Sequence, residues 1–152
     1  MSDLDSFKST HIAGVRHLID LALSSPQAQP PRLSFLSTIG AAILYQGPCA
    51  DFDVGIRGTQ NLVPECPIDD PSMALDIGYG ESKYVSERII VNALKAGLRA
   101  TVIRVGQLSG MSTSGEWPSN EYGIILLKSV LELGLLPEDV PVSQHCFIFK
   151  VL

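Results

Sequence analysis

Two short runs rich in β-branched residues flank one long amphipathic segment, and this order constrains the fold of the 152-residue chain more than any other feature. The runs "RLSFLST" (32–38) and "RATVIRVG" (99–106) have the composition of buried strands. Between them, residues 79–96 carry apolar side chains at helical spacing, and Gly97 follows as a natural stop. A strand, a helix and a second strand in this order predict a parallel pair of strands joined by a right-handed crossover.

Two more helices and a long loop complete the predicted order of elements. Apolar residues repeat with the helical period over residues 12–23 until "SSP" (24–26), and another helix is expected over residues 120–134. Residues 40–76 are rich in Gly, Pro and Asp, which predicts a loop. A parallel sheet of only two strands would leave faces and edges exposed, and parallel sheets are normally larger and covered on both faces. The predicted fold is therefore α/β, and specifically the central-to-C-terminal portion of a larger doubly wound parallel sheet.

Charge and composition argue against several classes of function. The net charge is −5 and no basic cluster is present to neutralise phosphates, which argues against a nucleic-acid partner. The N-terminal residues lack the basic and apolar regions of a signal peptide, and no apolar run is long enough to span a bilayer, so we expect a cytoplasmic protein without a membrane partner. Cys49, Cys66 and Cys146 are widely spaced and form no CxxC pair, which predicts reduced thiols and neither a disulfide framework nor a metal site.

The segment "GYGESKYVSER" (78–88) contains the strongest candidate for chemistry. Tyr79 and Lys83 are four residues apart, so they share one face of the predicted helix. A fixed cation beside a phenol stabilises the phenolate, and a phenol tuned in this way can exchange a proton with a carbonyl oxygen. The lysine can also donate to the sugar hydroxyls of a nucleotide. We expect Gly78 and Gly80 to leave open space beside the phenol for a substrate.

A tyrosine and a lysine four residues apart also occur by chance in many helices, where they are an ordinary solvated pair. The ends of the two predicted strands support the catalytic interpretation here. The first strand ends in Ser37 and Thr38, whose hydroxyl groups could bind the same carbonyl oxygen. The second strand ends in "RVGQ" (104–107), and open α/β sheets bind ligands beyond the carboxyl ends of their strands.

In this order, the "ST" strand end, "GYGESKYVSER" and "TVIRVGQLSG" (101–110) resemble the extended short-chain dehydrogenase/reductase family. More narrowly, "HIAGVRHLIDLALSSP" (11–26), "RVGQLSG" and "GEWPSNEY" (115–122) are similar to thioester reductase domains, the male-sterility-like NAD-binding domains of fungal adenylating and non-ribosomal-peptide-synthetase-like enzymes. The resemblance covers about residues 5–143. It implies a Rossmann-type fold and NADPH-dependent reduction of an acyl thioester, held on a phosphopantetheinyl carrier domain, to an aldehyde.

The resemblance also implies a role for each matching residue. Tyr79 would be the proton donor, Lys83 would tune it and hold the nicotinamide ribose, and Thr38 would polarise the carbonyl, with Ser37 as the alternative. Trp117 matches part of a substrate-side loop, although a lone tryptophan is more often a packing residue. The implied catalytic residues are Thr38, Tyr79 and Lys83, and the implied cofactor-binding residues are Ser37, Tyr79, Lys83, Val105, Gly106 and Gln107.

The chain departs from the family pattern in several places. No GxxGxxG turn for the pyrophosphate is present, no basic residue for the 2′-phosphate is recognisable, and His11 stands where many relatives have an asparagine. We therefore expect residues 1–143 to be a partial NAD(P)-binding thioester reductase domain, followed by an unmatched tail over residues 144–152. Such a fragment is expected to be unstable alone and to bind NADPH poorly. The alternatives are another extended short-chain enzyme (an epimerase, a dehydratase or an alcohol dehydrogenase) and a non-catalytic remnant.

Overall fold

The computed structural model describes residues 3–29, 31–45, 63, 65–74, 77–106, 108, 110–135 and 149–151. The chain divides into two compact units. The first contains Met1–Val105 together with Phe147–Leu152, and the second contains Gly106–Cys146.

The first unit begins with a helical segment that includes the helix predicted over residues 12–23. It consists of α1 (Leu4–Phe7), a π-helical turn (Lys8–Ile12) and α2 (Ala13–Leu23). The carboxylate of Asp3 accepts a hydrogen bond from the backbone N–H of Ser6 at 3.1 Å and so caps the first turn. The sequence prediction placed the helix start too late because the residues before Ile12 lack an apolar repeat.

The sheet confirms both predicted strands and adds a third. Strands β1 (Arg32–Thr38) and β2 (Arg99–Val105) are parallel and pair from Arg32↔Arg99 to Thr38↔Val105. Strand β3 (Phe149–Val151) pairs antiparallel with β2, so the order is β1-β2-β3. The sequence analysis did not predict β3, because three residues are too few to show an alternating pattern.

The crossover helix α3 (Gly78–Leu94) connects the two parallel strands and packs with α2 over the core. It ends two residues earlier than predicted, and Gly97 follows with a φ of 93°, a conformation that favours glycine. Ile90 is completely buried in this core. The other buried members of the cluster are Val15, Ile19, Ala22, Leu98 and Val102.

Two 3₁₀ turns lie beside the first half of α3. One turn (Ile39–Ala41) continues directly from β1, and the other is formed by Pro71–Met73. The segments are joined by a hydrogen bond from the N–H of Leu44 to the carbonyl oxygen of Met73 at 3.0 Å. These turns belong to the predicted loop over residues 40–76, most of whose central part lies outside the described residues.

The second unit contains α4 (Tyr122–Leu133), which confirms the helix predicted over residues 120–134. Gly134 ends it in the left-handed conformation, with a φ of 66°, and its N–H donates to the carbonyl oxygen of Val130 at 2.8 Å. Among the helices that the structure describes, none has both the length and the apolar character needed to cross a membrane.

Candidate active site

Tyr79 and Lys83 lie one turn apart at the N-terminal end of α3. The Tyr79 side chain is 41% exposed, so its phenol is accessible to a ligand. The Lys83 ammonium lies 5.7 Å from the centroid of the Tyr79 ring. This geometry brings an exposed proton donor and a cation onto one face of the helix.

The ammonium of Lys83 is held against the end of β1. Its Nζ donates to the carbonyl oxygen of Leu36 at 2.8 Å and lies 4.8 Å from the centroid of the Phe35 ring. Partial burial lowers the pKa of Lys83. Because an ammonium has three donors, this arrangement fixes the position of the charge and leaves donors for the hydroxyl groups of a ligand.

The Thr38 hydroxyl lies beside the first turn of α3. Its Oγ1 accepts a hydrogen bond from the N–H of Gly40 at 3.2 Å, and the described residues provide no acceptor for its own proton. A Cβ atom at Gly40 would lie 3.6 Å from Thr38 Oγ1 and 4.0 Å from the Cα atom of Gly80. Gly78 and Gly80 are both buried, which corrects the expectation that they leave open space. The turn after β1 instead lies against the first turn of α3 at Gly80.

Ser37 points into the protein interior. Its hydroxyl is 4% exposed and donates to Glu87 Oε1 at 2.5 Å. The same carboxylate pairs with Arg104, whose Nη2 lies 2.7 Å from Glu87 Oε2 and whose side chain is 1% exposed. The sequence analysis missed this network. Arg104 could have indicated it, because it is a charged residue within an otherwise apolar strand. A buried arginine is almost always paired with an acidic group.

The predicted cofactor segment begins at the same edge of the sheet. Val105 ends β2 and is the register partner of Thr38, so both lie at the carboxyl ends of parallel strands, where such sheets bind ligands. Gly106 is the first residue of the second unit, and Gln107 lies outside the described residues.

Two aromatic side chains from the helical segment before β1 contact Tyr79. The ring centroids of His11 and Phe7 lie 5.9 Å and 6.1 Å from that of Tyr79. His11 Nδ1 is 3.2 Å from the Oγ of Ser82, and this hydroxyl also lies 2.8 Å from the carbonyl oxygen of Tyr79, to which it donates. Burial and the charge of Lys83 lower the pKa of His11, which favours the neutral imidazole. Phe7 was not predicted as a neighbour of the site.

Trp117 belongs to the second unit, where it packs against α4. A Cβ atom at Gly123 would lie 2.8 Å from Trp117 Cη2, so only a glycine allows the indole to rest on this helix. A Cβ atom at Gly110 would likewise lie only 2.7 Å from the carbonyl oxygen of Glu116 and 3.0 Å from the Cβ atom of Trp117. These contacts favour the packing role of Trp117.

A parallel α/β unit with a tyrosine–lysine pair near the carboxyl ends of its strands is similar to the doubly wound folds, many of which bind nucleotides at that edge. A family model for an NAD-binding domain, described as "Male sterility protein", matches residues 1–149. The chain belongs to this family, whose model describes an NAD-binding domain and so indicates a nicotinamide cofactor.

Several of the similar curated proteins are fungal enzymes named as reductases. The chain is 41% identical over 136 residues to the adenylate-forming reductase Nps10 of Heterobasidion annosum, a match that covers 89% of the chain and 11% of the relative. It is 34% identical to a carboxylic acid reductase of Neurospora crassa, covering 90% of the chain and 12% of that protein. The chain thus spans about a tenth of the length of these relatives.

Two solved reductase domains share the fold. The terminal R domain from the myxalamid PKS-NRPS pathway has a TM-score of 0.66 at 23% identity, covering 90% of the chain and 31% of that domain. A reductase domain of the aureusimine cluster has a TM-score of 0.53 at 22% identity, covering 89% and 32%. These likenesses confirm the predicted Rossmann-type α/β class.

Proposed function

We propose that this chain supplies the catalytic centre of an NADPH-dependent reductase that converts a carrier-bound acyl thioester into an aldehyde. The observation that carries the proposal is the exposed Tyr79 phenol beside the Lys83 ammonium, at the edge of the sheet where β1 ends in Thr38. The names of the relatives, adenylate-forming reductase and carboxylic acid reductase, support the choice of reaction.

Each residue would act on one oxygen atom, the carbonyl oxygen of the thioester. The Thr38 hydroxyl donates a hydrogen bond to it, and Tyr79 transfers a proton to it while Lys83 stabilises the resulting phenolate. The hydride that reduces the acyl carbon would come from a nicotinamide held by these residues. The hemithioacetal then loses its thiol: the C–S bond breaks, and the hydroxyl proton passes to the sulfur as the aldehyde forms.

The chain's residues fit the nicotinamide half of the cofactor. Lys83, whose ammonium donates to the Leu36 carbonyl oxygen near the end of β1, would hold the ribose, and Val105, Gly106 and Gln107 form the segment proposed to pass beside the ring. Ser37 is a poor candidate for the carbonyl-polarising role because its hydroxyl proton is bound to Glu87. We further propose NADPH rather than NADH, a phosphopantetheinyl carrier domain as partner, and residues 1–143 as the reductase segment.

The test replaces Tyr79 in a reconstituted reductase, in which this chain replaces the matching segment of the Heterobasidion annosum relative. Tyr79→Phe removes only the hydroxyl and is expected to lower kcat by about 10²–10⁴-fold, the usual contribution of general acid catalysis. The assay follows aldehyde release from an acyl-pantetheine thioester, and fluorescence measures the Kd for NADPH, which should change much less than kcat.

Tyr84→Phe is the matched control, because Tyr84 lies on the same helix and donates its hydroxyl to the carbonyl oxygen of Asp69 at 2.7 Å, away from Lys83. Full turnover in Tyr79→Phe would refute the proposed role, because the proton would then come from another group, whereas a reconstituted parent without turnover would favour a non-catalytic remnant. Turnover of a nucleotide sugar in place of the thioester would favour an epimerase or a dehydratase.

A further inference from the structure

One buried carboxylate joins three elements of the first unit. Glu87 on α3 accepts the Ser37 hydroxyl of β1 and, on its other side, the guanidinium of Arg104 on β2. Ser37 and Arg104 are register partners across the parallel pair, so their side chains emerge at the same level of the sheet. Arg104 Nη2 also donates to the carbonyl oxygen of Cys66 at 3.3 Å. We call Ser37, Glu87 and Arg104 the carboxylate network.

The network does not need to be ionic for the fold to be stable. Glu87 is 5% exposed, and removing a carboxylate and a guanidinium from water costs free energy that their attraction only partly offsets. Apolar side chains of similar volume in such a place are often as stabilising as the ion pair, or more so. A bidentate pair differs from an apolar contact in fixing both distance and direction.

The bonds of the network lie next to the candidate catalytic residues. Glu87 is one turn after Lys83, whose ammonium binds the carbonyl oxygen of Leu36, the residue before Ser37. Two successive turns of α3 therefore bind two successive residues of β1, directly before Thr38. A shift of α3 along its axis by one residue, about 1.5 Å, would break both contacts. On the other strand, Arg104 directly precedes Val105.

We propose that Glu87 and Arg104 are positioning residues that fix α3 along its axis against the ends of β1 and β2. They act through Ser37 and Lys83, and they set the separation between the Tyr79 phenol and the Thr38 hydroxyl. This inference rests on the proposed function. A misplacement of about 1 Å in a reacting group is enough to lower a rate about 10²-fold, so loss of the network should affect kcat more than stability.

The test makes the network apolar in the reconstituted reductase by combining Ser37→Ala, Glu87→Leu and Arg104→Met. The thermal midpoint is expected to stay the same or to rise, and kcat to fall by about tenfold or more, with the KM for the acyl thioester changed less than about threefold. A purely structural network would show the opposite result, a lower thermal midpoint with unchanged kcat. A stable variant with the parent kcat would also overturn the proposal.

A single-residue pair keeps the proposal testable if the triple variant does not fold. Ser37→Ala removes only the bond to Glu87, whereas Ser86→Ala removes another buried hydroxyl, which donates to the carbonyl oxygen of Ser82 and lies 3.4 Å from that of His11. We expect kcat to fall in the first and not in the second, at similar thermal midpoints. Equal kcat values would overturn the proposal. Tyr79→Phe, assayed alongside, separates the two failures, because its full activity would instead refute the proposed function.

Discussion

The two ends of α3 differ in their surroundings: the N-terminal end carries the candidate catalytic residues, and the C-terminal end packs into the apolar core. At its N-terminal end, Tyr79 is exposed and Lys83 is held by a backbone carbonyl and an aromatic ring. At its C-terminal end, Ile90 is 0% exposed and packs with Val15 and Val102. The comparison shows how an exposed tyrosine can still be well placed. Its helix is held by apolar packing at one end and, in the middle, by the bonds of the buried Glu87 carboxylate to β1 and β2.

The largest expected effect concerns the N-terminal end, where Thr38 faces α3. Thr38→Val keeps the shape of the side chain and removes the hydroxyl, and we expect kcat in the reconstituted reductase to fall by about 10²–10³-fold, as for other lost oxyanion donors. Thr38→Ser is the matched control and should retain most of the activity. Parent-like kcat in Thr38→Val would show that the hydroxyl makes no contribution, and equal losses in both variants would point to the packing of the side chain instead.

The C-terminal end should respond in stability. Ile90→Ala leaves a cavity in the core and is expected to lower the free energy of unfolding by about 2–5 kcal/mol, with kcat of the folded enzyme little changed. Urea unfolding and turnover at low temperature measure the two quantities separately. Leu21→Ala is the control because Leu21 is exposed on α2. A large loss of kcat at full stability in Ile90→Ala would contradict the division of work between the two ends.

The smallest expected effect is the acid response of the cluster around Tyr79. The pKa of His11 in the folded state lies below the ordinary value of 6.5, because of burial and the nearby Lys83 charge. The imidazole therefore binds a proton more readily in the unfolded chain than in the folded protein. The contribution of His11 to the stability of the folded state is fully present above about pH 6.5, and it is lost as the pH falls through the lower pKa of the folded state. The thermal midpoint should therefore fall less between about pH 7.5 and pH 5.5 in His11→Gln than in the parent.

His17→Gln is the control for this measurement, since His17 is exposed on α2, six residues from His11. An acid response in His11→Gln that equals that of the parent would show that the imidazole near Tyr79 makes no contribution to the pH dependence.

The sequence predicted the elements that have a strong apolar pattern. The bounds of β1 agree with the prediction, and α3 and α4 agree within two residues at each end. Periodicity reports apolar faces only, so it did not show the early start of the first helical segment, which depends on the Asp3 cap. Periodicity also did not predict that Glu87 is buried. In the sequence, a buried polar residue cannot be distinguished from a solvent-facing one until its partner on another element is known.

The candidate site was predicted unevenly for a related reason. Tyr79 and Lys83 are neighbours on one helix, so their spacing alone predicted that they share a face. The choice between Ser37 and Thr38 depends on a contact with Glu87, which lies 50 residues away in the chain and cannot be inferred from local spacing. The prediction that Gly80 leaves open space beside the phenol was wrong. Gly80 is buried, because the turn after β1 packs against it.

The central claim is that Tyr79, Lys83 and Thr38 act on a single carbonyl oxygen. The most direct test is a crystal structure of the reconstituted reductase with NADP⁺ and an acyl-pantetheine amide, in which nitrogen replaces the thioester sulfur. The account predicts that Tyr79 Oη and Thr38 Oγ1 both lie within about 3.2 Å of the carbonyl oxygen, which is hydrogen-bonding distance. A carbonyl oxygen bound by other side chains, with either hydroxyl more than about 4 Å away, would contradict it.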